Sequence, residues 1–166
     1  MIKIRNIHPV TAIKGELRFI IRISALETLK YCRKNPDDFS LDILLTDEFI
    51  MRKVNNAYRG KTRSTDVLTF PLGENGKWTA DPETNTFMLG DTLISLDDAI
   101  NQAISYGHTL EREIAFLTVH SLLHHLGFDH ETSLEDEKRM FAIQDDVLKS
   151  VAHRLKAPTV RDGETT

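Results

Sequence analysis

The chain has 166 residues, 40% hydrophobic and 28% charged, with one cysteine and a formal net charge of −4 at neutral pH. That length and balance describe a single domain with a substantial core, and they exclude a disordered or fibrous chain. No apolar run approaches the roughly 20 residues that span a bilayer, and residues 1–6 lack the apolar stretch of a signal peptide, so a cytoplasmic protein without membrane contact is expected.

Residues 2–7 alternate apolar and charged side chains, the pattern of a first strand. Residues 16–34 carry an amphipathic helical pattern, with Pro36 as the stop signal. The short apolar run 41–46 reads as a buried strand, and Asp47 can cap a helix over 48–58. Residues 60–64 form a loop before a strand over 66–70, closed by Pro71. Residues 72–86 are rich in Gly, Asn, Asp, Thr and Pro and read as a mobile excursion. A strand over 87–95 follows, in which Gly90 and Asp91 mark a bulge, a close backbone approach or a plain irregularity. Helices are expected over 97–106, 111–126 and 134–153, the last capped by Thr132 or Ser133 and carrying Met140 on its core side. Residues 157–166 are a polar tail expected to fray, which leaves 1–156 as the domain. Early strands and late helices make an α+β fold, a small sheet packed against helices.

Charge is unevenly spread. Residues 1–63 hold 13 Lys and Arg against 7 Asp and Glu, whereas residues 64–166 hold 8 against 18. The densest basic stretch is Arg52, Lys53, Arg59, Lys61 and Arg63. Such a stretch either steers a polyanion or forms an ordinary solvated face.

Four of the seven histidines fall between residues 120 and 130. His120 and His124 are one turn apart on a helix, so their rings leave the same face. Gly127 can end that helix in the left-handed conformation and bring His130 back to the same point. Cys32 is the only cysteine, so thiolates cannot supply such a site. Three imidazoles leave one position open on a divalent ion, the arrangement of a catalytic zinc. His125 lies about 100° round the helix from His124 and falls outside that sphere. Asp129 either orients a ligand histidine or caps a turn.

An ion held by three neutral donors keeps its full charge for substrate and water, so hydrolysis is the natural reaction class. The spacing matches the metzincin pattern of zinc proteases, except that Ser121 stands where those enzymes carry the general-base glutamate. A phosphodiester needs charge neutralisation as much as a base, and Arg59 with Lys61 and Arg63 can supply it.

The segment His120–His130 closely resembles the motif of the YbeY family of metal-dependent bacterial endoribonucleases. Residues 56–61 and 65–71, and Leu89-Gly90-Asp91, agree in order and spacing, so the likeness runs from about residue 40 to 150. His125 and Thr69 depart from it, where the family usually has Leu and Ser. The resemblance implies a mixed four-stranded sheet and a zinc ion on His120, His124 and His130. It also implies cleavage of single-stranded RNA, with Arg59 as the arginine near the metal. The implied partners are ribosomal RNA, at the 3′ end of 16S rRNA, and the ribosome or its proteins, with no part for DNA. Two other readings remain: a metzincin-like protease, and a ribosome-associated factor whose metal is structural.

Overall fold

Alternation of side chains sets the sheet. In β2 (Phe39–Thr46), Phe39, Leu41, Ile43 and Leu45 are all buried on one face. Strand β1 (Ile2–Asn6) pairs parallel to β2, β2 pairs parallel to β4 (Phe87–Ser95), and β3 (Val67–Pro71) runs antiparallel to β4. The order β1-β2-β4-β3 is the mixed four-stranded sheet that the resemblance implies, with β3 as an edge strand. The computed structural model describes residues 1–74 and 76–156, so the tail expected over 157–166 lies outside the described residues.

Among the described residues five α-helices flank the sheet: α1 (Gly15–Tyr31), α2 (Glu48–Arg59), α3 (Leu96–Tyr106), α4 (Leu110–His125) and α5 (Leu134–Lys156). One face buries Leu17, Ile21 and Leu29 of α1 and Ile114, Leu117 and Leu122 of α4 against β2 and β4. The opposite face packs Met51 of α2 on Leu68 and Leu93. Met140, Val147 and Val151 of α5 close over Val119 and Leu123, so Met140 is core as expected. Helix α4 is therefore covered on nearly every side, which is why its sequence is apolar almost all round. Its few polar side chains stand out against that background.

Local chemistry explains the boundaries. Asp47 accepts from the Ile50 amide at 2.8 Å and starts α2, and the Ser133 hydroxyl accepts from the Asp136 amide at 3.1 Å and starts α5. Helix α1 ends three residues earlier than the proline suggests. Arg33 takes φ +57°, and the Lys34 amide bonds back to the Leu29 carbonyl at 2.8 Å, so the chain turns off before Pro36 is reached. Pro36 instead opens a short 3₁₀ turn, Pro36–Asp38, capped by Asn35.

The excursion between β3 and β4 is tied down rather than free. Trp78 packs edge-on against Phe39 at 5.3 Å between ring centres, and its indole N–H donates to the His125 carbonyl at 3.3 Å. The irregularity at Gly90 is both a bulge and a close approach. The β2–β4 register slips between Ser40 and Asp42, and a Cβ on Gly90 (φ +132°) would fall 2.1 Å from the Phe70 carbonyl oxygen.

Candidate metal centre

Helix α4 delivers His120 and His124 to one face, and Gly127, at φ +92°, turns the chain so that His130 comes back beside them. The three ring centres lie 4.7, 5.1 and 5.2 Å apart, and one donor atom from each ring lies within 4.8 Å of the others. Among the described residues this is the one group of three or more histidine, cysteine or acidic side chains with metal-binding geometry.

The donor chemistry fits an ion. His120 Nδ1 lies 3.1 Å from Oε1 of Gln144, a residue only 1% exposed. With Nδ1–H donating to that carbonyl oxygen, the lone pair of His120 is on Nε2. Nε2 of His120 and Nε2 of His124 are then 3.2 Å apart. Two nitrogens on a tetrahedral ion at about 2.0–2.1 Å would sit about 3.3 Å apart, so a cation between them matches that separation. The Nδ1 of His130 is buried without a hydrogen-bond partner, as a donor atom kept for an ion would be. Burial pushes His120 below the ordinary histidine value. Burial, joined by the neighbouring His120 and His130, pushes His124 down to about 4. Neutral rings are what a metal requires.

The histidines open onto a cleft of about 510 Å³. Arg59, at the end of α2, lines the same cleft, as do Thr69 of β3 and Asp66 just before it. Among the described residues lining it, Arg59 is the only lysine or arginine. Lys61 and Arg63 are exposed on the following loop and do not line the cleft. Arg52 pairs with Glu48 at 3.8 Å and Lys53 sits over the Phe49 ring, so the basic stretch narrows at the site to one guanidinium.

Asp129 takes the turn-capping role. Its Oδ1 accepts from the Glu131 amide at 2.9 Å, and among the described residues no histidine ring bonds to it. Of the two roles open to Asp129, the turn cap is the one the hydrogen bond shows: a short loop offers the carboxylate a nearer donor, the amide two residues on. The orienting role falls instead to Gln144, which the sequence reading missed. Asp66 was missed too. Its carboxylate accepts from the Val67 amide, the Thr65 hydroxyl and the Gln102 side chain, and so holds the start of β3 at the cleft.

His125 faces the other way and is 2% exposed. Its Nδ1 donates to the Leu89 carbonyl at 3.0 Å and its Nε2 accepts from the Thr92 hydroxyl at 2.9 Å. Ser121 is also fully buried, donating to the Thr118 carbonyl at 3.1 Å. The position that bears a glutamate in zinc proteases is thus turned away from the cleft.

A family profile described as "Endoribonuclease YbeY" matches residues 11–152. The chain belongs to the YbeY endoribonuclease family. Its relatives named Endoribonuclease YbeY include that of Caldicellulosiruptor bescii, 38% identical over 152 residues, which cover 89% of this chain and 95% of the relative. That of Halalkalibacterium halodurans is 39% identical over 78% of this chain and 82% of the relative. The solution structure of a Thermotoga maritima protein shares the fold, with TM-score 0.65 and 24% identity over 99% of this chain and 97% of that one.

Proposed function

We propose that this family member is a zinc-dependent endoribonuclease acting on single-stranded RNA, with His120, His124 and His130 as metal ligands and Arg59 as the catalytic cation. The observation that carries the reading is the meeting of three imidazoles and one guanidinium, without an acidic partner among the described residues, in a single open cleft. The family name supports RNA as substrate. By the family resemblance the RNA is ribosomal, matured at the 16S 3′ end and policed on the ribosome, and the compartment is the cytoplasm. No helix among the described residues is long and apolar enough to cross a membrane.

A zinc ion held by three imidazoles supplies positive charge to a phosphoryl oxygen and activates water. The chain's own residues do the rest. Gln144 holds the His120 ring with Nε2 toward the site. Arg59 presents two parallel N–H donors to the non-bridging oxygens and neutralises charge that builds there. Thr69 and the 127–131 turn line the same cleft and help to hold the RNA strand beside the guanidinium and the histidines.

A protease reading loses its general base, because Ser121 is buried away from the cleft. A structural-metal reading is disfavoured by the open cleft beside the ligands. The experiment is a cleavage assay on single-stranded RNA and casein side by side, with and without a chelator. RNA cut only in the unchelated arm, with casein intact, is expected. Casein cleavage, or RNA cleavage indifferent to chelator, would overturn the reading.

A further inference from the structure

The cleft runs along the outer edge of β3, and that edge is unevenly closed. In an antiparallel ladder, alternate residues direct their N–H and C=O groups toward the partner strand, and the rest direct them outward. The Ser95 amide donates to the Asp66 carbonyl at 2.9 Å, and the Leu72 amide to the Leu89 carbonyl at 2.9 Å. Residues 66, 68, 70 and 72 therefore face β4, and Val67, Thr69 and Pro71 face outward. The Val67 amide is taken by the Asp66 carboxylate at 2.8 Å. Pro71 has no N–H. Among the described residues nothing bonds to the Thr69 amide. One open donor is left on the edge, between two closed positions.

Closing an edge in this way guards against pairing with another strand. Val67, Thr69 and Pro71 all line the cleft with His120, His124, His130 and Arg59, and of these three Thr69 alone offers an open N–H to it among the described residues. We propose that the Thr69 main-chain N–H binds a phosphate oxygen of the extended RNA strand, which makes the edge of β3 a backbone-binding rail for substrate. This deepens the reading of the cleft as an RNA-cleavage site and rests on it. A backbone amide donates to any phosphate whatever the base, so the contact positions the strand without reading its sequence. Arg59 then engages the phosphate charge while β3 fixes the strand's direction past the histidines. The Val67 and Thr69 carbonyls face the same way and suit ribose hydroxyl donors.

Two variants remove the donor and spare the fold. Thr69→Pro places a second proline at an outward edge position, two residues before one the strand already accepts. Replacing the Leu68–Thr69 amide by an ester, through incorporation of the α-hydroxy acid, deletes the N–H with no constraint on φ. Thr69→Ala keeps the amide and measures what loss of the side chain alone costs. With a single-stranded RNA oligonucleotide, both donor-less proteins should lose about tenfold or more in kcat/KM, the scale of a hydrogen bond to a charged acceptor. Thr69→Ala should lose less than either donor-less protein, and metal content and melting temperature should hold throughout. An ester variant that cleaves at the wild-type rate would overturn the proposal, as would one that loses its metal. Failure of the unmodified protein to cut RNA would instead overturn the function proposed for the cleft.

Discussion

His124 and His125 are neighbours in sequence and opposites in setting. The first stands at a cleft with two other rings around it, and the second is sealed against β4 with both ring nitrogens bonded to Thr92 and Leu89. Burial drives both down to about 4, so protonation state does not tell them apart. What differs is satisfaction. His125 finds protein partners for each nitrogen, whereas His130 in the cleft keeps a buried nitrogen with none. On one helix, the face whose polar atoms are paired holds the fold together, and the face whose lone pairs converge is left for an ion.

The largest break in that comparison is His124→Ala. It should reduce bound metal from about one ion per chain to near none and abolish RNA cleavage, read by metal analysis and a cleavage assay. Equal loss in His125→Leu would reverse the two roles. Arg59→Ala should cut RNA cleavage by about 10²-fold, the scale of a lost transition-state donor, with metal content and melting temperature almost unchanged. Arg59→Lys should restore only part, since lysine keeps the charge and loses the fork.

Gln144→Leu sharpens the contrast from the cleft side. Without its carbonyl oxygen the His120 ring loses its fixed orientation, and metal affinity should fall by about 10–100-fold in a competition titration. Gln144→Glu retains an acceptor and should recover most of it.

His125→Leu should leave metal content intact and act on stability. It strands the Leu89 carbonyl and the Thr92 hydroxyl in the core, at a cost of about 1–3 kcal/mol near neutral pH. The same ring adds a pH dependence. The unfolded chain takes up a proton near pH 6.5, which the folded chain refuses until about pH 4. More protons bind the unfolded state across that window, so stability falls as pH drops through it and levels below. Denaturation midpoints of the metal-free protein between pH 7 and 4 should be less pH-dependent in His125→Leu than in the parent. An unchanged slope would mean that His125 is not held neutral by burial.

The sequence shows the cleft face because its logic is local. A spacing of four on a helix and a glycine able to take positive φ are enough to bring His120, His124 and His130 together. Residues 24 positions away escape that reading: Gln144 meets His120 only because α5 packs on α4, and the packing is not written in either helix alone. Asp129 was equally placed to orient a ring or to cap a turn, and the nearer backbone donor won. In the fold, Asp47 and Ser133 are local signals and both serve as caps. The end of α1 depends on Arg33 adopting a left-handed conformation that its side chain does not announce. The excursion over 72–86 reads as loose by composition, and Trp78 anchors it through a contact with Phe39 of β2. The family resemblance implies a mixed four-stranded sheet, but the order β1-β2-β4-β3 and the parallel pairing of β1, β2 and β4 were not legible, because alternation alone is silent on strand order.

The central claim is that one ion sits among the three cleft-facing rings and that His125 has no share in it. Anomalous diffraction at the zinc edge from crystals of the purified protein tests it directly. The account predicts a single peak per chain, about 2.0–2.1 Å from one ring nitrogen each of His120, His124 and His130, with His125 still bonded to Thr92 and Leu89. A peak ligated by His125, or no peak between the three rings in protein that carries stoichiometric zinc, would contradict it.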